Sequence, residues 1–171
     1  MKKKALFYFF FIVLFLLLQT TLLQYVAIYG VKPNILVVFI IVTALLRGES
    51  EGAPAGFFAG LSLDLMFGSA IGFYALLGLY LGIAVGATNK KIFRENILIV
   101  VFFTFIYSLA YESLVYIVNN IMSGDMNFLY ALTRTVLPES AYNCVVAVLL
   151  FPLVMKAGKW FDGADKKVRK Y

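Results

Sequence analysis

Apolar residues along this chain come in long blocks, and the polar breaks between them are short. The first block runs from Ala5 to Val31, 27 residues without a formal charge, directly after Lys2, Lys3 and Lys4. A second follows Pro33 and stops at Arg47. The third, from Gly52 to Asn89, holds 38 residues and one charge, Asp64. Two more lie at about 97–121 and 137–155. A helix needs about 20 apolar residues to cross roughly 30 Å of hydrocarbon. As one straight helix the third block would be about 57 Å long at about 1.5 Å per residue, so it divides at a turn near Gly68-Ser69. The pattern predicts six membrane helices, at about 5–29, 34–46, 52–66, 71–88, 97–121 and 137–155. Pro138 suits a first helical turn, and Pro152 is placed to kink the last part of helix six.

Charge placement tests this division independently. With the N-terminus in the cytoplasm, 13 of the 15 basic residues fall on the cytoplasmic side, and only Lys32 and Arg134 fall outside. That asymmetry is what the positive-inside rule requires, and an odd number of helices would spoil it. The expected organisation is a single six-helix transmembrane domain over 1–155, followed by a basic cytoplasmic tail over 156–171. In the tail, Trp160 near the membrane reads as an interfacial anchor attracted to anionic lipid, with a docking tail for a cytoplasmic partner as the alternative. The first block exceeds the roughly 7–15 residues of a signal-peptide core and lacks an A-x-A site, so it reads as a retained helix.

Composition agrees. The chain is 63% hydrophobic and 14% charged, with mean hydropathy +0.91, where a soluble domain is about half apolar and a quarter charged. The net charge of +6 does not point to nucleic acid, because the cations lie between apolar runs. Histidine is absent and Cys144 is the one cysteine, which removes the commonest metal ligand and general base and any internal disulfide. A phosphate-binding loop is missing, and Asp64 is the one intramembrane aspartate, where an aspartyl enzyme needs two. The residues favour no enzyme, cofactor or metal site.

The polar residues inside the apolar blocks carry the remaining information. Gly52, Gly56 and Gly60 recur at intervals of four, as do Gly78, Gly82 and Gly86, with Gly68 and Gly72 between. Residues four apart share one helix face, and small residues there let membrane helices approach closely. The two ladders read as a tightly packed hairpin, or as a groove open to a partner's helix. Asp64 is expensive in hydrocarbon, about 2.5–3.5 kcal/mol on insertion scales. With Glu112 and Glu139 it falls in the outer half, which suggests an outer polar cluster offset by Arg134 or Lys32. For Glu139, just after Pro138, a helix N-terminal position is the competing reading. Gln19, Thr20, Thr21 and Gln24 in helix one are expected to hydrogen-bond to another helix. Tyr107, Tyr111 and Tyr116 in helix five read as interfacial anchors.

A series of short motifs, in order, carries a family likeness: Gln19-Thr20-Thr21-Leu22-Leu23, Gly30-Val31-Lys32-Pro33-Asn34-Ile35-Leu36, Leu46-Arg47-Gly48, Gly56 through Asp64, then Gly68 and Gly72. It resembles the rod shape-determining protein MreD family over about residues 15–90. One departure is Asn34, where the family often has Asp after the proline. The resemblance implies a non-enzymatic, multi-pass protein of the bacterial cytoplasmic membrane that helps control cell shape and peptidoglycan synthesis. It also implies a single-pass partner, MreC, and a machinery containing MreB, a RodA-type glycan polymerase and a class B transpeptidase. The implied fold is similar to the S components of energy-coupling factor vitamin transporters, which supply the alternative function. Those components dock through an Ala-x-x-x-Ala face in helix one, which FYFFFIVLFLLLQTT lacks. The candidate partner-binding or polar-cluster residues are Gly56, Gly60, Asp64, Gly68, Glu112 and Arg134.

Overall fold

The computed structural model describes residues 2–21, 25–27, 30–67, 72–88, 96–121 and 127–168. Among these the chain is all-helical. We number the helices α1 (Lys2–Thr20), α2 (Ile35–Arg47), α3 (Glu49–Phe67), α4 (Phe73–Ala87), α5 (Ile97–Ile121) and α6. The last runs without a break through Phe128–Ala131, a π-helical segment Leu132–Val136, and Leu137–Val168.

α2 is the axis of the bundle. Its side chains from Leu36 to Val42 are completely buried, and it touches each of the other five helices. A helix that is apolar all round, as ILVVFIIVTALLR nearly is, is stable only when surrounded. Here α1, α3, α4, α5 and α6 succeed one another around it. The outward faces of that ring are themselves apolar: Leu6, Phe9, Phe58, Leu65, Tyr80, Leu98, Phe102 and Leu149 are exposed. An apolar exterior around an apolar core is the arrangement expected of a bundle in lipid. By length and composition α5 and the stretch Phe128–Lys159 are each able to cross a membrane, and Leu6–Thr20, Ile35–Arg47 and Phe73–Ala87 form shorter apolar helices.

Two boundaries differ from the sequence pattern. α1 ends at Thr20 and does not continue to 29. Thr20 and Thr21 turn their hydroxyls back to the carbonyls of Leu16 and Leu17, local side-chain-to-backbone bonds that compete with continuation of the helix. α6 begins at Phe128, well before 137, and extends through much of the expected tail to Val168. Pro138 therefore sits inside the helix instead of opening it. Proline has no N–H to give the Arg134 carbonyl, and the ladder just ahead of it runs in π geometry. Glu139 follows as an interior residue, which rules out the N-terminal capping reading. The turn near Gly68-Ser69, the 90–94 basic cluster and Ser123-Gly124-Asp125 lie outside the described residues, as do Gln24 and the side chain of Trp160.

The two ends of the bundle differ in chemistry. At one end Arg47 packs against Gly158 of α6, and Glu51 accepts from Lys4 at 3.2 Å and from two nitrogens of Arg47 at 3.0 Å. The Tyr8 hydroxyl donates to the same carboxylate. This knot ties α1, α2 and α3 together where the chain is most basic. The acids Asp64, Glu112 and Glu139 gather at the opposite end.

Candidate functional site

The glycine ladders determine how close α3 and α4 come. A Cβ on Gly56 would strike the backbone of Gly78, one on Gly60 the backbone of Tyr74 and Ala75, and one on Gly82 the backbone of Gly52. The contacts are reciprocal: Gly78 meets Gly56, and Gly86 meets Glu49. Each helix thus presents its smooth face to the other, and the groove predicted along α3 is filled by α4. Gly56 and Gly60 act inside the hairpin. Gly68 is outside the described residues.

Asp64 completes the same face, two turns beyond Gly56. It is 2% exposed. Its carboxylate accepts from the backbone N–H groups of Gly72 at 3.0 Å, Tyr74 at 2.9 Å and Ala75 at 2.9 Å. These are first-turn donors of α4, which an α-helix cannot satisfy internally. The N-cap residue is Gly72, held at φ 102° and lacking a side chain. A residue of α3 therefore supplies the cap that α4 lacks, and its negative charge lies at the positive end of the α4 dipole. That is how an aspartate is accommodated so deep in an apolar hairpin. Of the two cations expected to offset one of the outer acids, Arg134 is exposed and lines a separate cleft with Gly30, Tyr130 and Tyr142, whereas Lys32 lines the cavity beside Glu112 and Glu139. The displacement of Arg134 accompanies the early start of α6 and the π-helical segment, which reset the helix face that carries it.

Glu112 belongs to a second network, centred on Asn34. Asn34 caps α2 by accepting from the Val37 N–H. The same oxygen accepts from Gln19 Nε2 at 3.2 Å, and Asn34 Nδ2 donates to Glu112 at 3.1 Å. The Asn34 backbone N–H donates to Asn143 of α6 at 2.7 Å, and Asn143 in turn donates to Ser108 of α5. Gln19 accepts from the Leu36 N–H at 3.3 Å. One asparagine thereby joins α1, α2, α5 and α6 at the acidic end. Asparagine suits the position because Nδ2 is a donor; an aspartate would present a second carboxylate to Glu112. Glu139 and Lys32 stand at the same end as Glu112. A cavity of about 260 Å³ opens beside these groups.

Three of the residues that matter most carry roles that their sequence contexts did not reveal. Asn143, fully buried in α6, has an apolar neighbourhood in sequence that gives no hint of a partner on α5. Tyr111 is 3% exposed and is no interfacial anchor; an i+1 position beside Glu112 was the available signal. Tyr107 likewise turns inward, bonding to Thr88 Oγ1 at 2.6 Å and donating to the Ala84 carbonyl at 3.2 Å, which ties α5 to α4. Glu51 pairs with Arg47 across the break at Gly48 between α2 and α3, a contact made by the turn and not by the face of one helix. Among the described residues, no three potential metal-ligating His, Cys, Asp or Glu side chains come together.

No curated protein and no solved structure matches this chain. A family model does: that of the rod shape-determining protein MreD, over residues 1–159. The match takes in all of the hairpin, the Asn34 network and the knot at the basic end. With its apolar, all-helical architecture and that near-complete coverage, this chain belongs to the MreD family of rod shape-determining membrane proteins.

Proposed function

We propose that the protein is a non-enzymatic scaffold of the bacterial cell-elongation machinery, which holds a single-pass MreC-like partner against its α3–α4 hairpin. The observation that carries this reading is the construction of that hairpin. Its inner face is consumed by glycine contacts and by Asp64, and its outer face leaves Phe57, Phe58, Leu65 and Met66 exposed. Such a unit is stiff, because backbones meet without intervening side chains, and it presents a fixed aromatic and aliphatic stripe to whatever lies beside it in the bilayer. In this reading Gly56, Gly60 and Asp64 act on the partner indirectly, by fixing the shape of the hairpin. Glu112 supports the outer end, and Arg134 stands at the outer rim, where a partner's membrane-proximal segment would pass. The basic end faces the cytoplasm with both chain termini, and all six helices cross the cytoplasmic membrane in an S-component-like packing. The RodA-type polymerase, the class B transpeptidase and MreB are reached through the same assembly.

Co-purification from detergent tests the surface. Replacing Phe58 and Leu65 together by alanine should reduce recovery of the MreC-like partner by about tenfold while the thermal unfolding of the chain stays near that of the parent. Gly56→Leu should lower both. Undiminished recovery with the Phe58 and Leu65 variant would remove α3 as the docking face. Cysteine labelling in whole cells, in a chain with Cys144 replaced by serine, checks the orientation: an engineered cysteine at the exposed position 159 should react only after permeabilisation, and one at 130 without it.

A further inference from the structure

The acidic end holds a cavity to which the scaffold reading gives no occupant. The cavity of about 260 Å³ is walled by Glu112, Glu139, Lys32, Tyr111, Leu63 and Val115. Asn34 and Gln19 also border it, but both spend their polar atoms on helix ends and on Glu112. The Tyr111 hydroxyl is different. It is fully buried and finds no hydrogen-bond partner, although leaving a buried hydroxyl unsatisfied costs about 1–3 kcal/mol. An orphaned hydroxyl on the wall of a polar cavity points to a molecule that belongs there.

Charge says which kind. Two carboxyl groups face one lysine, so among the described residues the walls are one positive charge short when both acids are ionised. In an apolar bundle such a shortage is met by a proton or by a bound cation. The walls also carry the rings of Tyr74 and Tyr111, whose faces attract ammonium and guanidinium groups. Leu63 and Val115 add aliphatic surface for a carbon stem. The space corresponds to about nine waters at about 30 Å³ each. That admits a head group and a short stem, and it falls below the roughly 300–1,000 Å³ of a cleft for a drug-sized ligand. A bare metal ion would leave most of it empty.

We propose that this cavity binds the head of an alkylammonium or alkylguanidinium cation, with the cation between Glu112 and Glu139, a hydrogen bond to Tyr111, and its stem against Leu63 and Val115. The source is either a free amine on the outer side of the membrane or a lysine or arginine side chain of a membrane partner; the proposal does not depend on which face MreC occupies. The experiment titrates the full chain in detergent with n-butylguanidinium chloride and follows thermal unfolding, with tetramethylammonium chloride, which has no N–H donors, as the comparison at equal ionic strength. Saturable stabilisation by butylguanidinium alone is expected. The apparent affinity should weaken about tenfold in Glu139→Gln and about threefold in Tyr111→Phe, which keeps the ring and loses only the hydroxyl. Glu139→Gln without probe should unfold no earlier than the parent, because it removes the unbalanced charge. Equal responses to both salts, no response in the parent, or variants that respond as the parent does would overturn the proposal. A second titration, on the chain co-purified with its single-pass partner, separates the sources. Loss of probe binding assigns the cation to the partner's side chain, and retained binding assigns it to a free solute.

Discussion

Replacing Asp64 by alanine removes a carboxylate that accepts three backbone N–H groups at 2.9–3.0 Å from a position 2% exposed. Two magnitudes bracket the loss. Hydrogen bonds between membrane helices average about 0.6 kcal/mol in double-mutant cycles, which gives about 2 kcal/mol for three. Bonds to charged groups in proteins are worth about 1.5–3 kcal/mol, which gives about 5 kcal/mol or more. The higher figure should be approached here. The acceptor is charged, it lies at the positive end of a helix dipole, and alanine leaves the buried Ala75 N–H without its acceptor. Asp64→Asn keeps one carbonyl oxygen in reach of two donors and loses the charge, so it should cost roughly half as much. The assay is equilibrium unfolding of the purified chain in mixed micelles, with the variants ranked parent, Asn, Ala. The first turn of α4 should loosen before the rest: hydrogen exchange in Asp64→Ala should accelerate at 73–76 while the amides of α2, buried at the axis, stay protected. If Asp64→Ala unfolds within about 0.5 kcal/mol of the parent, or if exchange rises evenly over all helices, the carboxylate does not hold the hairpin.

Other outcomes follow from the remaining contacts. Gly56→Ala should destabilise by about 1–3 kcal/mol, the usual range for overpacking, because its methyl group meets the Gly78 backbone; Met66→Ala, on the exposed side of α3, should change unfolding little. Asn34→Asp sets a carboxylate against Glu112, and its loss of stability should be largely recovered in the double variant with Glu112→Gln, a coupling that a thermodynamic cycle measures directly. Glu51→Gln breaks the pairing with Lys4 and Arg47 at the basic end and should cost about 1–3 kcal/mol, with Tyr8→Phe costing less in the same unfolding assay.

What the sequence reveals and what it hides divide along a physical line. A block of apolar residues announces a helix because the backbone must satisfy itself wherever water is absent, and the blocks give the number of helices once the third, too long for one crossing, is divided in two. Spacing of four announces a close helix pair, because it depends on one helix's geometry alone; hence the α3–α4 hairpin is visible in the spacing of Gly52, Gly56 and Gly60 by itself. The partner of a polar group depends on the packing of two helices, and here the sequence runs out. Asp64 invites a search for a cation, but its partners are backbone N–H groups, which no residue type advertises. Glu112 and Arg134 look like neighbours when each helix is drawn straight and started at its first apolar residue. An early start at Phe128 and a π-helical segment ahead of Pro138 accompany the arginine's place in another cleft, and Glu139 lines one cavity with Glu112 instead. The burial order is hidden for a related reason. α1, α2 and α4 are all strongly apolar, and only packing reveals that α2 is the one enclosed on every side. Its neighbours keep apolar residues facing outward because the solvent there is lipid. In a water-soluble bundle the same question would have been answered by a polar stripe; a membrane removes that signal, and with it the means of telling a core helix from an outer one before the chain is folded.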